Sequence, residues 1–255
     1  MTDVHTYFRI VRELGVRGMA DLLNDRLCSF NNVFILEKSL FSVAAPGAHR
    51  MQFSISEIEE ADWEEILQEV HSMDIGAKRE IFARALHFRN DFRHCYAIRS
   101  KTGSIAHIQW IVFPEENDVL SSRYPHFFKT LVPYEIMIEN AFTFPRFRGL
   151  GLFSYATRYL LNLGREQGYK KATTYVRCEK LASLNELIRL GFSIKNVVRE
   201  YRVLGVTRRR LEGPRPGRDR ERAGQWNHSR GAGSEANTGP GAPVEGKGEH
   251  QHGFY

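Results

Sequence analysis

The stretch PRFRGLGLFS, residues 145–154, sets Arg146 and Arg148 beside glycines at 149 and 151, just ahead of an amphipathic run. Glycine reaches the backbone conformations that curl several N–H groups toward one point. A helix starting there adds the positive end of its dipole, worth about 0.3–1 kcal/mol per charge at an exposed site. The two arginines add forked donors to the same anion. Such a turn is suited to binding phosphate. It is not the phosphate loop of nucleotide hydrolases, since no Gly-Lys-Ser/Thr follows, nor a dinucleotide fingerprint, which needs a third glycine. Upstream, YEIMIENAFTF (134–144) reads as a strand. Its alternation puts Glu135, Met137, Glu139, Ala141 and Thr143 on one face, and Ile136, Ile138, Asn140, Phe142 and Phe144 on the other. Two carboxylates on one face can relay a proton or bind an ammonium group, and structural ion pairs are the alternative use of both.

These residues need a scaffold, and the chain predicts one from residue 49. HRMQFSIS alternates as a strand, and ADWEEILQEV follows as a helix with acidic residues in its first turn. AKREIFARALHFRNDFRH predicts a second helix, burying Ile81, Ala85, Leu86 and Phe88. CYAIRSKTGSIAHIQWIVF predicts two strands joined by the turn at 101–104. The second carries His107 and Gln109 on one face with Ile105, Ile111 and Phe113. That histidine is either a satisfied core residue or a substrate contact. A polar loop without a pattern leads to the strand at 134–144 and the glycine turn. Leu152, Tyr155, Ala156, Tyr159, Leu160 and Leu163 then fall on one face of a helix that Gly168 ends. KKATTYVRC, LASLNELIRLGF and FSIKNVVREYRVL supply a strand, a short helix and one or two final strands.

Two segments flank this body. Residues 1–48 predict an extension in which two helices, broken at Gly15 and Gly18, span residues 4 to 28, and NNVFILEKSL forms a short strand. Residues 207–255 are rich in glycine, proline and charge and predict a disordered tail. The formal charge of +6 is no argument for nucleic acid, because half of the excess lies in that tail and no basic stripe with interleaved aromatics accompanies it. No apolar run approaches the roughly 20 residues of a membrane span, and no h-region of a signal peptide is present. Three scattered cysteines fit a reducing cytoplasm better than a disulfide framework. No CxxC or HExxH spacing suggests a metal, and Cys178 has no histidine partner by spacing.

In this order of elements the chain over residues 49–205 resembles the GNAT superfamily of acyl-CoA-dependent N-acyltransferases. The superfamily's Q/R-x-x-G-x-G/A motif fits RGLGLF with Arg148 as the basic residue, Gly151 as the first glycine and Phe153 where glycine or alanine is commoner. Pro145 takes the usual proline position, and Ser183 with Leu190, Gly191 and Phe192 fits the second signature. The resemblance implies a mixed, mostly antiparallel central sheet flanked by helices, with acetyl-CoA or another acyl-CoA as co-substrate and no metal. It implies that the turn, from Arg146 and Arg148 through the amides of Gly149, Leu150, Gly151, Leu152, Phe153 and Ser154, holds the coenzyme pyrophosphate. It also implies that the main chain at Ala141 and Thr143 pairs with pantetheine. Glu135 resembles the base position of the histone-acetylating branch, and Glu139 lies nearer the thioester. The loop 121–134, with Tyr124 and His126, is a candidate wall for the acceptor, as is His107. Two departures bear on mechanism: Leu187 replaces a proton-donating tyrosine, and Lys180 an asparagine. The expected activity is direct transfer of an acyl group to a primary amine, on a small molecule or a protein, by a monomer or a homodimer. A catalytically weak acyl-CoA-binding regulatory module and a scaffold acting through the N-terminal helices and tail are the alternatives.

Overall fold

Val33, Phe34, Ile35 and Leu36 are all buried, which a strand achieves only with packed layers on both faces. The computed structural model describes residues 28–41, 53–124, 127–203 and 206–213, and it places their strand, β1 (Cys28–Ser39), inside the sheet. The chain continues through β2 (Ser54–Glu57), α1 (Glu60–Glu69), α2 (Ile75–Arg89), β3 (Cys95–Arg99), β4 (Ile105–Val112) and α3 (Asn117–Arg123). It goes on to β5 (Glu135–Thr143), α4 (Leu152–Glu166), β6 (Lys171–Arg177), α5 (Leu181–Arg189), β7 (Ser193–Val203) and β8 (Val206–Glu212). One sheet of eight strands results, in the order β2-β3-β4-β5-β6-β1-β7-β8. Every neighbouring pair is antiparallel except β5 and β6, which are parallel.

Helices cover both faces. Trp63 and Ile66 of α1 and Ile81, Phe82 and Phe88 of α2 pack against Val33, Ile35, Ile108, Trp110 and Met137 on one side. Leu160 and Leu161 of α4 and Leu184 and Leu187 of α5 pack against Phe34, Leu36, Ile111, Ile136 and Ile138 on the other. Helix α4 lies so close to β5 that a Cβ on Gly164 would collide with the Ile136 side chain. Among the described residues, no helix is long and apolar enough to cross a membrane, and no cluster of His, Cys, Asp and Glu could hold a metal ion.

The flanking segments differ from the sequence expectation. The strand assigned to an N-terminal extension is paired along its length with β6 and β7, so the body begins by Cys28 and not at residue 49. At the other end, Thr207–Glu212 belongs to β8 and not to the tail. Its charges are used in the ladder with β7: Arg209 pairs with Glu200 at 2.6 Å, and Arg199 with Glu212 at 3.1 Å. Helix α3 stands where a patternless loop was expected. The helix pair expected over residues 4–28, residues 49–52 of the expected first strand, His126 and the tail beyond Gly213 lie outside the described residues. Because β1 joins β6 to β7, Leu36→Ala should cost about 2–5 kcal/mol, as for other fully buried leucines. Urea denaturation checks this, and a chain starting at residue 49 should not fold.

Candidate active site

Parallel pairing between β5 and β6 is short. Glu135, Ile136 and Met137 face Lys171, Ala172 and Thr173, and there the ladder ends. Beyond it β6 continues against β1, while β5 stays with β4. The two strands part at their carboxyl ends, where open α/β sheets bind ligands. The parting has a local cause. Register jumps from Trp110↔Glu139 to Ile108↔Phe142, so Asn140 and Ala141 together oppose Gln109. This is a β-bulge, and Asn140 sits in it at φ 57°, a conformation asparagine tolerates better than most residues.

The bulge reverses the face pattern expected for β5. Phe142 and Phe144 join Met137 on the α2 side. Thr143 turns to the α4 side, its hydroxyl 2.8 Å from His107 Nδ1. A register shift also separates Ile105 from the face of His107 and Gln109. Arg84 of α2 holds the bulge in place. It donates from Nε to the Asn140 carbonyl at 3.2 Å and from Nη2 to the Ala141 carbonyl at 2.9 Å. The Ala141 carbonyl expected for pantetheine is therefore already engaged, and that of Thr143 accepts from Arg148 Nε at 3.4 Å. Arg84 also pairs with Glu80 at 3.0 Å, and Glu80 with Lys180 at 3.0 Å. This chain of charges links the bulge in β5 to the residue before α5, across the side where β5 and β6 part. Lys180 is thus spent within the protein.

The two candidate carboxylates have different surroundings. Glu135, 1% exposed, meets Lys129 at 2.8 Å and Lys171 at 3.2 Å and accepts from the Thr173 hydroxyl. Burial alone would raise its pKa, but those partners bring it below the ordinary carboxylate value. It is a weak base tied into a structural network that includes Glu37. Glu139 is 4% exposed, and its Oε2 has no hydrogen-bond partner. Burial pushes its pKa to about 8, opposed by the Arg84 charge. That combination of an orphaned oxygen and a pKa near neutrality is what a general base or an ammonium-binding group requires.

The glycine turn has the predicted shape. A single 3₁₀ turn at Pro145–Phe147 leads into Gly149 at φ 83° and Gly151 at φ 72°, the residue capping α4. No atom lies within 4 Å of a Cβ at either glycine, so their positive φ, and no crowding within the protein, accounts for glycine there. The amides of the first turn of α4 have no partner within the helix and suit an anion. Arg148 stays beside the turn, but Arg146 is drawn away, pairing with Glu69 at 3.0 Å and lying over the Phe147 ring. The Ser154 hydroxyl donates to Glu186 of α5, leaving only its amide for a ligand. Phe153, which stands where glycine or alanine is commoner, is half-buried against the core between α4 and the sheet.

The remaining candidates separate in the same way. His107 is fully buried, its Nε2 3.3 Å from Gln109 Oε1, and Gln109 donates to Thr157 of α4. Burial lowers its pKa to about 4. It is a satisfied core histidine and does not face a substrate. Tyr124 is half-buried at the end of α3, its hydroxyl 2.8 Å from His87 Nδ1. His87, Arg84 and Tyr175 stand near the site without having been singled out from sequence. The packing of α2 across β5 brings His87 and Arg84 there, and Tyr175 comes from β6.

No protein-family model and no characterised protein matches the chain by sequence. Among solved structures, it is similar to the GCN5-related glucosamine N-acetyltransferase region of a fungal multi-domain β-N-acetylglucosaminidase. The TM-score is 0.51 at 13% identity, over 72% of this chain and 22% of that one. It is also similar to a GCN5-related N-acetyltransferase from Sphaerobacter thermophilus, with a TM-score of 0.47 at 12% identity, over 78% of this chain and 57% of that one. The chain thus spans about a fifth of the fungal protein's length and little more than half of the bacterial one's. The fold is that of the GCN5-related N-acetyltransferases.

Proposed function

We propose that the protein transfers an acetyl group from acetyl-CoA to a primary amine, by direct attack of the amine while both are bound. One observation carries this reading. A buried carboxyl with an unpartnered oxygen, Glu139, lies on the strand that leads directly into an anion-ready helix N-terminus. In this reading the coenzyme's phosphates lie on the amides of 149–154 beside Arg148, with its arm toward the parting of β5 and β6. Acetyl-CoA supplies an activated acyl thioester. The chain's own task is to hold the ammonium group, take one of its protons onto Glu139 Oε2, and keep water out.

A second reading, an acyl-CoA-binding module without turnover, is favoured by Leu187. It is buried in the α5 core at the position where the resemblance expects a proton-donating tyrosine. The two readings part in one experiment, calorimetric titration with acetyl-CoA followed by thiol release on adding amines. Binding with release supports transfer, binding alone supports the module, and no binding rejects both. The buried free thiol of Cys95 suits a reducing compartment.

A further inference from the structure

The surroundings of Glu139 also narrow the acceptor. Its cross-strand partner is Trp110. Glu139 and Tyr175 each stand two residues beyond Met137 and Thr173, the last pair of β5 and β6, and Tyr124 reaches the same side through His87, whose ring lies 5.3 Å from Trp110 and 5.7 Å from Tyr124. Phe128 joins those two rings, 5.4 Å from Tyr124 and 4.9 Å from Tyr175, edge to face with each. Apart from the carboxylate this wall is aromatic, its two tyrosine hydroxyls are engaged, and the buried His87 Nε2 behind it has no hydrogen-bond partner. The Tyr124 hydroxyl meets His87, and the Tyr175 hydroxyl accepts from the Lys129 amide at 3.1 Å.

Three of the neighbouring cations are spent as well. Arg84 holds the bulge carbonyls and Glu80. Lys129 and Lys171 hold Glu135 and Glu37. A carboxylate or phosphate on the acceptor would find no free counter-charge among these three, and Arg123, the next cation, lies exposed at the end of α3. Sugar hydroxyls against such a wall would lose water without gaining partners, at roughly 1–3 kcal/mol for each unsatisfied group. An ammonium on an apolar body has a partner to offset its lost water: its charge favours the ionised form of Glu139, and the rings add cation–π and stacking contact.

We propose that the acceptor is a primary amine on an apolar, ring-bearing body, with its ammonium on Glu139 and its body against Tyr124, Phe128 and Tyr175. This rests on the transfer reading, and the test keeps the two apart. Binding of 2-phenylethylamine to the full chain is followed by tryptophan fluorescence without any acyl-CoA. Turnover is then compared between 2-phenylethylamine, glucosamine and glycine with acetyl-CoA. The expected result is saturable binding, lost in Glu139→Gln, weakened about tenfold in Tyr124→Leu and retained in Tyr124→Phe. A kcat/KM for 2-phenylethylamine at least about tenfold above the other two should accompany it. Saturable binding with no acetyl transfer would reject the transfer reading and leave the amine site standing. Absence of binding, or turnover that favours glucosamine or glycine, overturns the inference even if acetyl-CoA binds and reacts.

Discussion

Glu139→Gln should remove nearly all acetyl transfer while making the protein more stable above neutral pH. The loss of activity, about 100-fold to 10,000-fold in kcat/KM, is the usual contribution of a positioned proton acceptor. The gain in stability follows from linkage. The folded-state pKa of Glu139 is about 8, above the ordinary value. Between pH 4.5 and 8 the folded protein therefore keeps a proton that the unfolded chain releases, and stability falls as pH rises through that window. Two pKa values that far apart set an upper bound of about 5 kcal/mol on the penalty at pH 8, and relaxation around the site makes it smaller. Glutamine keeps the shape and never ionises. Thermal unfolding of the two proteins should nearly coincide at pH 4 and diverge toward pH 8, with the variant higher. The wild-type kcat/KM for the amine should rise with pH and level off near 8. If Arg84 holds the carboxyl down as its position implies, Arg84→Met moves that limb to higher pH. It should also cost about 2–4 kcal/mol in urea denaturation, since two bulge carbonyls and Glu80 lose their donor.

Legibility in the sequence followed the range of the forces involved. The glycine turn was readable because its cause is local: only glycine takes a φ of 83° or 72° without strain, and two of them before an amphipathic run mark the turn, though not its use. The order of elements from β2 to β7, α3 excepted, was readable for the same reason, since each of the others has its own period and its own stops. What could not be read lies in pairing between distant segments. VFIL announces a strand buried on two faces, but nothing local says that β6 and β7 will flank it. The bulge left a trace, since Asn140 is among the few side chains suited to positive φ, yet alternation over 135–144 looks unbroken without β4 opposite. Glu135 and Glu139 are indistinguishable by spacing. The difference is that Lys129 and Lys171 fold onto the first, while only Arg84, already engaged, approaches the second. The arginines at 146 and 148 diverge because Glu69 of α1 claims one of them.

The glycine turn offers the second decisive test, because stability and ligand affinity should separate there. Gly151 caps α4 at φ 72° with open space where a Cβ would stand. Aspartate tolerates that conformation better than most residues, and at a helix N-terminus its carboxylate is favoured by the dipole and by the orphaned amides. Gly151→Asp should therefore change thermal stability little, the φ strain of about 1 kcal/mol being offset by the new cap. The same carboxylate would occupy the amides assigned to pyrophosphate and repel its charge. Affinity for acetyl-CoA should drop by about 100-fold or more, a loss of about 3 kcal/mol. Gly151→Ala brings the strain without the charge and should lose far less affinity. If both variants bind acetyl-CoA like the wild type, the turn is a structural corner and phosphate is bound elsewhere or not at all. If both unfold, this corner does not tolerate a side chain, and glycine there is required for folding. A folded Gly151→Asp that no longer binds acetyl-CoA but still binds 2-phenylethylamine would show that the two substrates occupy separate sites.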